Sequence, residues 1–301
     1  MYDIIGDLHG NFTHTEKLLL ALGYFRTKGS FKHRTRKAIF VGDYIDKGPQ
    51  SKECVQLVRD MVIAGNAIAI PGNHEFNFLC YHKKDEHGKP LRPHTMKNQA
   101  QIKDTMESYE GYEFQLEEDL LWFQFLPIYF EHEAFRVIHA AWISDDIEFI
   151  HSNYPENCLT DRLLLKASKK DTMEFLVVEN LLKGPEVALP EGISFKDNSG
   201  HERNQLRVKW WEDPIGKTIF EMAARPASFL PHKPFTSTPG FKPYNKSEKS
   251  IFFGHYCLRG TPVLQKSNVC CVDYCVYKTQ KMFAYRWEGE RTLRETNLVT
   301  V

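Results

Sequence analysis

Three glycine-bounded blocks carry the side chains of this sequence that are suited to chemistry: Gly6-Asp7-Leu8-His9-Gly10, Gly42-Asp43-Tyr44-Ile45-Asp46-Lys47-Gly48 and Gly72-Asn73-His74-Glu75. Carboxylate, imidazole and amide donors together suit manganese, iron or zinc, whereas all-oxygen shells suit magnesium or calcium. Two such ions roughly 3.5–4 Å apart need a shared ligand, and a carboxylate can bridge them. The expected arrangement is Asp7 and His9 on one ion and Asn73, His139 and His255 on the other, with Asp43 between them. Two metals held this way are machinery for hydrolytic attack on a phosphorus centre.

Convergence of these ligands requires each block to sit at the end of a strand. Short apolar runs at 2–5, 38–41 and 67–70 directly precede the three blocks. Amphipathic helices are expected at 11–22 and 51–64, where Leu18, Leu19 and Leu22, then Val55, Leu57, Val58, Met61 and Val62, fall at helical spacing. The alternation predicts a βαβαβ start and a largely parallel sheet. A polar segment at 81–118 is expected to hold a helix at 96–109 and to lie over the site, followed by a short helix at 120–126 that ends at Pro127. Strands at 128–131 and 135–139 are expected to pair, the second ending in His139. Further on, the pattern predicts one helix over 159–182, a Pro-, Lys- and Ser-rich stretch at 226–250, a strand running into Gly254-His255, and a closing hairpin of 268–277 against 281–287. The expected organisation is one domain over 1–301 with an insertion at about 143–250, because the ligands bracketing that segment must share one site.

With 301 residues, 42% apolar and 26% charged, the chain can bury a sizeable core. Basic and acidic residues number 39 each, and this balance argues against a general nucleic-acid binder. The start carries no basic leader, and the longest apolar runs are too short for a bilayer, so no membrane is expected and the protein reads as cytoplasmic. Seven cysteines is an odd number; Cys270, Cys271 and Cys275 lie in an apolar run and read as core thiols rather than as a disulfide.

Asp-x-His, Gly-Asp-x-x-Asp, Gly-Asn-His-Glu, a later strand-end His and a Gly-His resemble the calcineurin-like metallophosphoesterases. Within these, the chain is similar to the branch of protein serine/threonine phosphatases, bacterial diadenosine tetraphosphatases and polynucleotide kinase-phosphatases. The likeness is close over the first 80 residues, with matches again at His139 and at 251–287. It implies an α/β fold: a four-layer αββα sandwich of two mixed sheets flanked by helices, with a dinuclear site at the C-terminal strand ends. Asp7, His9, Asp43, Asn73, His139 and His255 match the ligand positions. His74 matches the histidine that protonates the leaving oxygen, and Asp46 the carboxylate that orients it. The implied cofactors are two divalent ions, manganese first with iron or zinc as alternatives, and the implied nucleophile is a hydroxide between them. The implied substrate is a phosphorylated small molecule or nucleotide of the dinucleoside polyphosphate kind; a phosphoprotein, or a metal-binding regulatory role without turnover, are the alternatives.

Two positions depart from the family pattern. Lys47 stands where members usually carry an arginine, keeping the charge but losing the two-pronged grip on phosphate. Ala141-Trp142 follows His139-Ala140 where glycine is common, and Trp142 is expected to narrow the pocket or stack on a base. A second phosphate-binding arginine is expected from the insertion, with Arg207 the candidate. His94, His201 and His232 lie on loops within possible reach of the site but read as solvated residues, and Trp210-Trp211 as a packing anchor. Any one motif alone has a bland reading; Asn73 and Glu75, for example, suit a helix N-terminus. Three ordered blocks, each after a strand, make coincidence a poor explanation.

Overall fold

The computed structural model describes residues 1–196, 202–228, 230–236 and 240–301. Its core is two mixed sheets. In the first, Leu298–Thr300, Phe283–Trp287, Tyr2–Ile5, Lys37–Phe40 and Ala67–Ala69 lie side by side in that order. The last three run parallel, and Phe283–Trp287 is antiparallel to both of its neighbours. In the second, the order is Val269–Cys271, Ser250–Phe253, Phe135–Ile138, Tyr129–Glu131, with only the last pair antiparallel.

Strand alternation decides the layering. Ile4, Ile39, Val41, Phe135, Val137, Phe252, Cys270 and Tyr285 form the apolar layer between the sheets. Their chain neighbours Ile5, Ala38, Phe40, Ile138, Ile251, Phe253 and Cys271 point the other way, into a core shared with the helices. Strands buried on both faces therefore read as unbroken apolar runs, and the result is the helix–sheet–sheet–helix sandwich expected above. Helices Phe12–Ala21 and Ser51–Ile63 pack their Leu18, Leu19, Val55, Val58 and Met61 faces on the first sheet.

Three expectations are corrected. The closing hairpin does not form: Val269–Cys271 pairs in parallel with Ser250–Phe253, while Phe283–Trp287 enters the other sheet beside Tyr2–Ile5. Both segments have the composition of strands, but a hairpin could not feed two sheets at once. The single helix over 159–182 is two, Asp161–Ala167 and Met173–Lys183. They are broken by the polar run 168–172, whose Thr172 hydroxyl accepts from the Phe175 N–H as an N-cap. Lastly, Cys275 is not a free core thiol: it is disulfide-bonded to Cys257, while Cys54, Cys80, Cys158, Cys270 and Cys271 are free and buried.

Within the segment 143–250, Ile150, Leu163, Leu164, Val177 and Leu181 join the core shared with the helices, and a small separate cluster forms from Val187 on. Strand Glu186–Ala188 pairs antiparallel with Gln205–Arg207, and Val187, Leu189, Leu206, Val208, Ile219, Met222 and Leu230 make a separate apolar cluster. Buried Trp210 anchors it, its indole N–H donating to the Ala140 carbonyl. Among the described residues no helix is long and apolar enough to cross a membrane.

Candidate metal centre

The three blocks follow Tyr2–Ile5, Lys37–Phe40 and Ala67–Ala69, so the parallel order of these strands puts their loops side by side at one sheet edge. His139 follows Phe135–Ile138 and His255 follows Ser250–Phe253, which brings the second sheet's strand ends to the same edge. Backbone bonds lock the loops together: the Leu8 and His9 N–H groups donate to the Asp43 carbonyl, and that of Gly10 to Tyr44. Glycine is needed where a ligand crowds the backbone. A Cβ on Gly72 would overlap the Asp43 carboxylate, and one on Gly254 would overlap that of Asp7.

Glu75 holds the Asp43 loop from beneath. Fully buried, its carboxylate accepts from the backbone N–H groups of Asp43, Tyr44 and Gly72 at 2.8 Å each, and from Ile45 at 3.4 Å. Burial, then the nearby Asp43, pushes this carboxyl up to about 7. His9, Asp43, Asp46, Lys47 and His255 all carry positive φ, at 44, 52, 67, 67 and 68°. Such left-handed residues cost about 1–3 kcal/mol each and cluster where the surroundings impose a functional geometry.

The ligating atoms gather into two groups that share Asp43. Donor atoms of His9, Asp43 and His74 lie within 4.8 Å of one another, as do those of Asp43, His139 and His255. Asp43 Oδ2 is 3.5 Å from His9 Nε2 and 3.9 Å from His74 Nε2, while Oδ1 is 3.4 Å from His139 Nε2. Asp7 Oδ2 is 3.9 Å from His9 Nε2. Asn73 Oδ1 is 2.7 Å from His255 Nδ1 and 3.3 Å from His139 Nε2. All six ligand positions expected from the sequence thus meet at one place.

The donor set fits divalent cations on two grounds. His9 Nδ1 bonds the Ile45 carbonyl at 3.1 Å and His139 Nδ1 that of Val41 at 2.7 Å, so each ring aims its Nε2 into the site. Electrostatics agree for part of the set. Burial would raise Asp43, but His139, His74 and His9 hold it well below its usual range. Burial pushes both His9 and His255 down, helped by the Lys47 and Arg207 cations respectively. Neutral imidazoles beside a charged carboxylate are the protonation states that metal binding needs. Two other donors would have to give up a proton to a bound cation: burial, then the Asp273 and Asp43 charges, hold the Asp7 carboxyl well above its usual range, and against burial the Asp43 charge raises His139.

Around this centre, His74 Nδ1 lies 2.6 Å from Asp46 Oδ2. Asp46 is held in turn by Thr105, whose hydroxyl donates to Oδ1 at 2.5 Å and accepts from the Asp46 N–H at 2.9 Å. Lys47 Nζ is 3.1 Å from His9 Nε2 and 4.4 Å above the Tyr277 ring. Arg207 reaches the far side, its Nη1 3.2 Å from His255 Nε2 and its Nη2 donating to Glu186 at 2.8 Å. A cavity of about 470 Å³ opens beside His255, lined by Lys183, Glu186, Arg203, Arg207 and Arg225 among others.

One other expectation fails: Trp142 is buried against the Tyr129 ring and under Arg136, so it is core and not a pocket wall. His94 and His232 are exposed, as their reading as solvated residues has it. Tyr81 stacks on His94 and its carbonyl bonds His94 Nε2 at 2.8 Å, and Phe220 lies against His232; neither joins the site. His201 lies outside the described residues. Thr105, Asp273 and Tyr277 were missed as neighbours of the centre. Their only signal was Val272-Asp273-Tyr274 in the closing stretch; nothing in the sequence marks Thr105.

A family model described as calcineurin-like phosphoesterase matches residues 2–277. The chain belongs to that family. As a calcineurin-like phosphoesterase it is expected to use divalent metal ions, which the donor set suits. The asymmetrical bis(5'-nucleosyl)-tetraphosphatase of Oceanobacillus iheyensis is 45% identical over 73 residues, which are 24% of this chain and 29% of that protein. Its counterpart in Halalkalibacterium halodurans is 43% identical over 74 residues, 24% of this chain and 30% of the other. The chain spans less than a third of the length of these curated relatives. A solved protein serine/threonine phosphatase from Saccharomyces cerevisiae superposes with a TM-score of 0.52 at 17% identity, covering 100% of this chain and 78% of that one; this is a likeness of fold.

Proposed function

We propose that this calcineurin-like phosphoesterase is a two-metal hydrolase of phosphate esters or anhydrides, acting on a nucleotide or similar small molecule such as a dinucleoside polyphosphate. The observation that carries the reading is Asp43, which turns one oxygen to each of two groups of ligating atoms. Two divalent ions, manganese in this reading, would there polarise the phosphoryl group and lower the pKa of attacking water. Asp7 and His9 would hold one ion and Asn73, His139 and His255 the other, with Asp43 within reach of both.

His74 Nε2 carries the proton delivered to the leaving oxygen, since expelling an alcohol or acid is far easier than expelling its anion. Asp46 fixes the ring through Nδ1, and Thr105 fixes Asp46. Lys47 beside His9 and Arg207 beside His255 bind the phosphoryl oxygens. The chain acts as one domain whose segment 143–250 supplies Arg207. Two observations support a nucleotide: similarity to the tetraphosphatases over about a quarter of the chain, and a cation-rich cavity with room beyond one phosphoryl group.

The test is manganese-dependent turnover, read as p-nitrophenol from p-nitrophenyl phosphate, as separated mononucleotide products from a dinucleoside tetraphosphate and as phosphate from a phosphopeptide, with Asp43→Asn alongside wild type. Turnover of the tetraphosphate that disappears in the variant is expected. Preference for the phosphopeptide would overturn the substrate class, and turnover unaffected by Asp43→Asn would overturn the mechanism.

A further inference from the structure

We propose that the Cys257–Cys275 pair is a thiol–disulfide exchange site that sets the metal affinity of the centre, an inference that rests on the two-metal reading of that centre. The pair joins the loop carrying His255 to the turn carrying Asp273 and Tyr277, across a separation of 18 residues. The half-buried Cys257 is open to attack, whereas the five other cysteines are buried and free, so exchange is confined to this bond. A disulfide beside a hydrolytic centre is not needed to hold a core of this size, and in reducing compartments such bonds are mostly catalytic or sensing.

The bond is wired to the ligands at three points. Asp273 accepts from the backbone N–H groups of both Cys257 and Cys275 through its two oxygens. Its charge also bears on Asp7, whose carboxylate accepts from the His255 N–H at 3.1 and 3.2 Å. Cys257 Sγ lies 3.6 Å from the Tyr277 hydroxyl, and the Tyr277 ring meets His9 edge-on at 5.4 Å and lies under Lys47. His255, Cys257 and Cys275 are all left-handed, with φ of 68, 48 and 63°. Non-glycine residues stay in that region only where the surroundings over-determine them, and the cross-link is part of what does so here. Arg225 holds the same loop from the other side, donating to the His255 and Tyr256 carbonyls. Opening the bond therefore loosens His255 without releasing it.

The exchange balances with a dithiol as reductant and a low-molecular-weight disulfide as oxidant. A reductant thiolate attacks one sulfur of the bond and the other cysteine leaves as thiolate. The second reductant thiolate then displaces the first cysteine, two protons come from the reductant thiols by way of solvent, and the reductant becomes its disulfide. Closing is the reverse, the two cysteines giving up two electrons and two protons to the oxidant.

The full chain is treated with dithiothreitol or with a small disulfide, freed of reagent under nitrogen, and split between maleimide labelling with mass mapping and calorimetric titration with manganese. Cys257 and Cys275 are expected to label only after reduction, with manganese affinity about tenfold weaker in the reduced protein. Cys257→Ser with Cys275→Ser should bind at the reduced level under both treatments. Equal affinity of wild type in the two states overturns the inference, as does full labelling of the pair after oxidation; that comparison needs no variant to fold. Neither readout involves turnover. An inactive protein whose metal affinity still switches would refute the hydrolase and leave this inference standing.

Discussion

Replacing Glu75 with glutamine tests whether this residue organises the Asp43 loop or merely caps a helix. Its two oxygens take four N–H groups: Asp43 and Gly72 on Oε2, Tyr44 and Ile45 on Oε1. A glutamine offers one oxygen and one NH₂ group, so whichever way it turns, two backbone donors face another donor. The site is fully buried and water cannot replace the lost acceptor. Each stranded donor costs about 1–3 kcal/mol, which puts Glu75→Gln at about 2–6 kcal/mol of destabilisation. For a chain of this size that is a fall in Tm of about 3–10 °C. A helix cap alone would cost about 1 kcal/mol and leave the loop intact.

The loop also matters to the ligands, because Asp43 sits at a φ of 52° and its N–H is one of the four. Once that bond is lost, the residue has less reason to stay left-handed, and both metal groups share its carboxylate. Urea unfolding of the metal-free proteins would give the stability difference, and manganese calorimetry the affinity. A fall of at least tenfold in affinity should accompany the stability loss. Glu75→Gln within 1 kcal/mol of wild type, with manganese binding unchanged, would refute the reasoning and return Glu75 to the role of a cap.

His74→Ala should retain manganese while losing about 10²–10⁴-fold in kcat, the usual worth of a positioned proton donor; loss of metal instead would make His74 a ligand, as its place near Asp43 also permits. Thr105→Val, which removes the hydroxyl that both donates to and accepts from Asp46, should lower kcat about tenfold with KM unchanged, the effect on kcat being smaller for a leaving group that needs no proton. Arg207→Ala should raise KM for a dinucleoside tetraphosphate more than for p-nitrophenyl phosphate, and an equal rise for both would confine Arg207 to the scissile phosphoryl group. Burial, opposed by the hydrogen bond from the Asn180 amide, pushes the Asp146 carboxyl up to about 6. The folded state then holds this proton more tightly than the unfolded chain between about pH 4 and 6, so the associated stability is present below that window and is lost as pH rises through it, by about 1–3 kcal/mol. Asp146→Asn should therefore gain in Tm over wild type on going from pH 4 to pH 7, and a pH-independent difference would count against it.

The centre was legible because its requirements are local. Asp7, His9, Asp43, Asn73, His74, His139 and His255 each follow a short apolar strand, and Gly72 and Gly254 are needed where the backbone touches a carboxylate. The alternation of apolar strands with amphipathic helices likewise exposed the first three strands and their parallel order. Strand composition alone left the second half open. Val269–Cys271 and Phe283–Trp287 have similar composition and are close in sequence, yet they enter different sheets, and a strand buried on both faces carries no mark of its partner.

What the amino-acid sequence determined by itself, then, is the ligand series and the strand ends that carry it, since both depend on residues a few positions apart. Tertiary structure alone decided the rest. Glu75 reads as a helix cap until the Asp43 loop is seen folded onto it. Arg207 is a candidate in the sequence, but only the strand it ends brings it to His255, 48 residues on. Cys275 reads as a core thiol until the Gly254-His255 loop meets the Asp273 turn and brings Cys257 to it. In each case the deciding contact joins segments far apart in the chain, and such contacts exist only once the sheets have packed and closed the loops between them.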